Sequence, residues 1–175
     1  VTKYPNESGD INTWYAGKLD GTIWGYTTVG IAQTQEEMDA HLANNKPNWG
    51  SKWGAGDVMY ADLNGDGEVT SGSSTLGDHG DLTVIGNSYA RYNFGLTLDG
   101  SWKGLDFSVF LQGVMKRDYW LSGPYFWGAS GDEWQSACFT EHLDYWTPDN
   151  PDAYYPKHYF GGITKNQQVQ TGYLQ

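Results

Sequence analysis

The sequence predicts an all-β, mainly antiparallel fold, and three observations carry the prediction. Aromatic residues make up 16% of the chain and glycine accounts for 24 of its 175 residues, a mixture that suits strands joined by large loops. Residues 92–112 alternate apolar and polar side chains with the period of a strand. Helical spacing is confined to one short stretch near residues 34–42.

The elements follow in order. Residues 11–33, "INTWYAGKLDGTIWGYTTVGIAQ", are β-branched and aromatic and broken by glycine, which predicts short strands and turns. In "TQEEMDAHL", Thr34 and Glu37 have the spacing of a capping box, and Met38 and Leu42 share a face, so a helix of about two turns is expected. "NNKPNWGSKWGAG" reads as loop. "YADLNGDGEVTSG", residues 60–72, places Asp62, Asn64 and Asp66 at alternate positions with Gly67 where a metal loop turns sharply. Residues 71–81 are small and polar, hence irregular.

The clearest element is a hairpin with strands at about 92–102 and 105–114. Tyr92, Phe94, Leu96, Leu98 and Trp102 fall on one face of the first strand, and Leu105, Phe107, Val109 and Leu111 on one face of the second, with Phe110 out of pattern. A two-residue turn at Lys103-Gly104 sets Leu98 opposite Val109, Leu96 opposite Leu111 and Trp102 opposite Leu105, so both apolar sets reach the same side. Strands of this length suit either a soluble sandwich, whose second sheet covers that side, or a membrane barrel, where lipid does. Residues 116–168 hold no comparable strand, and the three prolines of "TPDNPDAYYP" forbid a central one. Long loops at one end and tight turns at the other are the habit of outer-membrane barrels. Three regions result: 1–88, an outer loop region; 89–115, the hairpin; and 116–175, a long aromatic loop leading to a further strand.

The formal charge of −11, from 21 acids and 10 bases, excludes a nucleic-acid partner and docking on anionic headgroups. Cys138 stands alone, so no internal disulfide is expected. The first residues do not read as a signal peptide, and no apolar run is long enough for a transmembrane helix. His41, His79, His142 and His158 lack zinc spacing. Asp132/Glu133 and Glu141/Asp144 have the chemistry of glycosidase acids, but solvated loop carboxylates are the commoner case, and no enzymatic activity is expected. Trp120, Tyr125, Trp127, Trp134, Trp146 and Tyr154 are candidates for stacking on sugars, or equally for packing the loop on itself or on a partner.

In this order, "IWGYTTVGIAQTQEEMDAH", "GDVMYADLNGDG", "DLTVIGNSYARYNFGLTLDGSWKGLDFSVFLQG" and "EHLDYWTPDNPDAYYPK" resemble the SusC/RagA family of TonB-linked outer-membrane proteins of Bacteroidetes. The resemblance implies a parent with a plug inside a barrel of about 22 strands, of which this chain is expected to be an internal segment from the C-terminal half. It implies a bacterial outer-membrane location in contact with lipid, a short periplasmic turn at Lys103-Gly104 and extracellular long loops. The implied function is uptake of oligosaccharide or peptide with a SusD-like surface lipoprotein, driven by a TonB system acting on parts outside this chain. The alternative is a soluble, calcium-stabilised carbohydrate-binding β module.

For the 62–70 loop the expected ion is calcium, as a structural brace. Asp62, Asn64 and Asp66 would offer side-chain oxygens, Glu68 its carbonyl, and Thr70 an oxygen directly or through water. Ser73 stands where an EF-hand needs a bidentate glutamate, so a closing carboxylate must come from further on. Asp81 is the first choice, because it occupies the family position just ahead of "TVIGN", and Asp78 the second. The competing reading is a metal-free turn rich in Asn, Asp and Gly.

Overall fold

The computed structural model describes residues 2–128, 138–159 and 163–175. Among them the fold is all-β with few helical turns. Strands β1 (Thr22–Gly25), β2 (Thr28–Ile31), β4 (Val58–Tyr60) and β6 (Thr83–Asn87) form two antiparallel pairs, β1 with β6 and β2 with β4, each irregular at one point. The two-residue strands β3 (Lys46–Pro47) and β5 (Glu68–Val69) run parallel. β7 (Tyr92–Trp102) and β8 (Leu105–Met115) form the hairpin. Besides α1 (Gln35–Leu42), the described residues include one turn of helix, α2 (Pro124–Trp127), and short 3-10 turns at Thr140–Leu143 and Thr171–Tyr173.

Helix α1 starts where its sequence signals it. Thr34 Oγ1 accepts the Glu37 N–H at 3.1 Å, and Met38 is fully buried against Ala32 and Met59. The capping box is modified: Glu37 Oε2 takes the N–H of Gln33, at 2.6 Å, one residue further back than a reciprocal box would.

The core joins both long loops. Tyr26, Val58, Tyr60 and Val69 from before the hairpin pack with Trp127, Tyr155 and Tyr173 from after it. Backbone bonds tie the halves as well: Tyr26 N–H donates to Val169 O at 2.8 Å, and Thr171 N–H to Tyr26 O at 3.0 Å. Buried Gln170 spans the same seam, accepting from the Thr28 hydroxyl and donating to Tyr60 Oη and Asn166 O. The regions 1–88 and 116–175 therefore build one loop body, from which the hairpin projects.

Candidate functional site

The hairpin has the register its sequence predicts. Leu98 opposes Val109, Leu96 opposes Leu111 and Trp102 opposes Leu105. Lys103 and Gly104 carry the positive φ of a primed two-residue turn, 48° and 82°, and Lys103 Nζ lies 5.0 Å from the centre of the Trp102 ring. The same face contains two glycines, each paired with an aromatic ring. A β-carbon on Gly100 would fall 2.2 Å from the Phe107 ring, and one on Gly113 would fall 2.4 Å from Phe94. The rings thus lie over the glycines and fill the face that the glycines leave empty. Phe110, out of pattern on the polar face, lies against Gly95 in the same way.

No described residue of the loop body covers the apolar face: Leu96, Leu98, Val109 and Leu111 are each about half exposed, between 44% and 50%. Of the two covers that such a face can have, a second sheet or lipid, no second sheet packs on it among the described residues. Each strand has 11 residues. At roughly 3.3 Å per residue and a tilt of about 45°, such a strand rises roughly 25 Å, the height of the apolar band of an outer-membrane barrel. The hairpin's base is fixed to the body. Asp118 N–H donates to Asn87 O, the Asn87 N–H donates to Asp118 Oδ2, both at 2.8 Å, and Arg117 Nε reaches Ser88 O.

The acidic loop is a tight coil closed from behind. Asp62 accepts the N–H groups of Gly65 at 2.6 Å and Gly67 at 2.7 Å; Gly67 and then Gly65 hold its carboxyl below the usual carboxylate range. Both glycines have positive φ, which the coil requires. Asn64 Oδ1 accepts from Asp66 N–H, and Asp66 Oδ1 from Glu68 N–H, each at 2.9 Å. Asp81 does come to this loop, but as a hydrogen-bond acceptor. Fully buried, it takes the N–H groups of Leu63, Asn64 and Thr70. Asp78 is engaged in its own turn with the Ser73 N–H, at 2.9 Å, and Thr70 Oγ1 accepts from Gly72 N–H. Among the described residues no three acidic, imidazole or thiol side chains gather as a metal cluster. Asn64, Asp66 and Glu68 are exposed, and Asp62 is half-buried.

The aromatic candidates separate. Trp127 and Trp146 are buried, at 3% and 6% exposure, and Trp146 Nε1 donates to Gln33 Oε1 at 2.9 Å. Their rings are spent mainly on the loop body, and what is left of the Trp146 ring lines a cavity beside Tyr145 and Lys157. Trp120 is half-buried against Trp127. Tyr125, at 78%, and Tyr154 are exposed, and Tyr125 stacks on Phe139. Trp134, Asp132 and Glu133 lie outside the described residues. Asp144 supports a turn, accepting from Asn150 Nδ2 and Tyr154 N–H. Close to this turn, His142 accepts the Phe139 N–H at Nδ1, and its Nε2 lies 3.2 Å from Tyr125 O. Burial holds the neighbouring His158 imidazole below the usual histidine range, and His142 adds to that.

One polar centre has no signature in the sequence. Asp57 and Lys165 are both buried and form an ion pair at 2.7 Å. Asp57 also accepts from Gly54 N–H, Asn166 Nδ2 and the Tyr159 hydroxyl, while Lys165 donates to Lys52 O. Only pairing across more than 100 residues creates this centre, so no local motif could have announced it.

No family model matches the chain. It is 29% identical over 136 residues, 76% of its length, to the TonB-dependent receptor P26 of Formosa agariphila, of which it spans 12%. The similarity supports kinship with TonB-dependent receptors as a class.

Proposed function

We propose that this chain is a segment of a TonB-dependent outer-membrane importer of the SusC/RagA kind. Its β7–β8 hairpin crosses the bilayer, Lys103-Gly104 turns at the periplasmic side, and the loop body stands outside the cell. There it would meet a SusD-like lipoprotein and an oligosaccharide or peptide, with a TonB system acting through other parts of the parent. Its part is transport, not catalysis. The observation that carries the reading is the hairpin's continuous apolar face, 11 residues long on each strand, which the loop body leaves bare. The similarity to a TonB-dependent receptor agrees with it.

Single-cysteine probes test it, in a chain with Cys138→Ser and held in detergent micelles. A polarity-sensitive dye at Leu98→Cys should report an apolar setting and one at Asp99→Cys water. Equal, aqueous signals from both would exclude a lipid-facing hairpin.

The same reading includes a calcium ion on the acidic loop, bound through Asp62, Asn64, Asp66 and the Glu68 carbonyl, with solvent filling the other positions. Asp81 would then hold the loop in shape by its backbone bonds. Chelation should lower the melting temperature, and Asp62→Ala should remove that difference. A melt indifferent to chelator removes the metal.

A further inference from the structure

In a chain with 21 acids and 10 bases, a place where cations outnumber acids stands apart. One lies where residues 49–57 meet residues 145–165. Two cavities, of about 420 and 470 Å³, open there and share Lys52 and Tyr159 as a common wall. Among the described residues, their linings include Lys52, Lys157 and Lys165 and no aspartate or glutamate. The Lys165 charge is answered by Asp57 beneath. Lys52 and Lys157 are exposed and, among the described residues, neither makes an ion pair.

The backbones of both lysines are fixed. Lys157 N–H donates to Gly56 O at 2.8 Å. Lys52 has a positive φ of 55°, and its carbonyl accepts from Lys165 Nζ at 2.8 Å. The wall between them is also set. Tyr159 donates its hydroxyl to Asp57 at 3.1 Å, and its ring centre lies 4.2 Å from Lys165 Nζ and 5.6 Å from Lys157 Nζ. Tyr145 lies flat on His158, with ring centres 4.7 Å apart. The buried Asp57–Lys165 centre therefore fixes a cleft with two aromatic walls and two lysines that, among the described residues, pair with no acid.

We propose that this cleft binds an acidic oligosaccharide, with the ammonium groups of Lys52 and Lys157 meeting carboxylate or sulfate groups and the rings of Tyr145 and Tyr159 lying against sugar faces. Each cavity is of a size that takes a small ligand. A repeating acidic sugar answers both features at once: charge recurs along it, and each ring has an apolar face. A lone inorganic anion would use the lysines and leave the aromatic walls without a partner. The assignment rests on the importer reading for the source of the sugar, while the chemistry of the cleft is its own.

Calorimetry on the full chain in detergent micelles tests it, with trigalacturonate, a sulfated galactan oligosaccharide, neutral galactotriose and inorganic sulfate as probes. At least one acidic sugar should bind about tenfold or more tighter than galactotriose and than sulfate, and which one does so separates carboxylate from sulfate recognition. Raising salt from about 0.05 to about 0.5 M should weaken that binding. Lys52→Ala with Lys157→Ala should weaken it about tenfold or more, with aromatic circular dichroism unchanged, and Lys52→Arg with Lys157→Arg should retain it. Neutral and acidic sugars binding alike, no acidic sugar binding, sulfate binding as tightly as the sugars, or the double alanine variant binding as before would each overturn the proposal. The hairpin does not line the cleft, so a failed lipid-facing test with sugar binding intact counts against the importer reading alone. The reverse result counts against the cleft alone.

Discussion

Asp57 receives four donors: Gly54 N–H, Lys165 Nζ, Asn166 Nδ2 and the Tyr159 hydroxyl. A buried charge is tolerable only while its partners remain, so Asp57→Ala strands an ammonium in the interior. Such a loss costs about 3–5 kcal/mol. Denaturant titration should show the midpoint falling with little change in slope. An unchanged midpoint would mean that water reaches Lys165. At this scale the sequence was legible where chemistry is local. Asp62, Asn64 and Asp66 announce a tight acidic loop through their alternate spacing, and the structure forms one. Asp57, within "GAGDV", and Lys165, within "TKNQQ", carry no such mark, because each acquires its meaning from the other. The aromatic residues show the same limit. Composition cannot tell Trp127 and Trp146, which are buried, from Tyr125, which is exposed.

The hairpin was the most legible element. Its register depends on a two-residue turn and on period-2 patterning, both read within about 20 residues, and every pair from Tyr92–Met115 to Trp102–Leu105 follows from that turn. The pairing of Phe107 with Gly100 and Phe94 with Gly113 was less visible, since a glycine in a strand reads as a weakness until a ring is placed over it. Gly100→Val should displace the Phe107 ring and loosen the ribbon by on the order of 0.5–1 kcal/mol. Hydrogen exchange in micelles should then be faster at the amides around Leu98 and Val109. Unchanged protection there would show that the ring moves aside freely. Helix α1 was legible for the same local reasons: of the two residues on its predicted apolar face, Met38 is buried and Leu42 partly so.

On the scale of the whole molecule, the loops before and after the hairpin share one core, which their sequences did not disclose. The contacts that join them, such as Tyr26 with Val169 and Thr28 with Gln170, link residues more than 100 apart. No residue of β7 or β8 belongs to that core. Replacing residues 92–115 by a short Gly-Ser link should therefore leave the body folded, with its aromatic circular dichroism retained and its melting temperature changed by only a few degrees. Collapse of that signal would show that the hairpin organises the loops.

Among the described residues, β7 and β8 pair only with each other, so the outer flank of each carries peptide groups without strand partners. In water these are hydrated at little cost, but in hydrocarbon each would forfeit several kcal/mol. The ribbon consequently cannot cross a bilayer in isolation, however greasy its side chains, although detergent can cover its apolar face while both flanks stay in water. Entry has to be concerted with further strands on both flanks, and its rate is then set by assembly of those neighbours rather than by hydrophobicity.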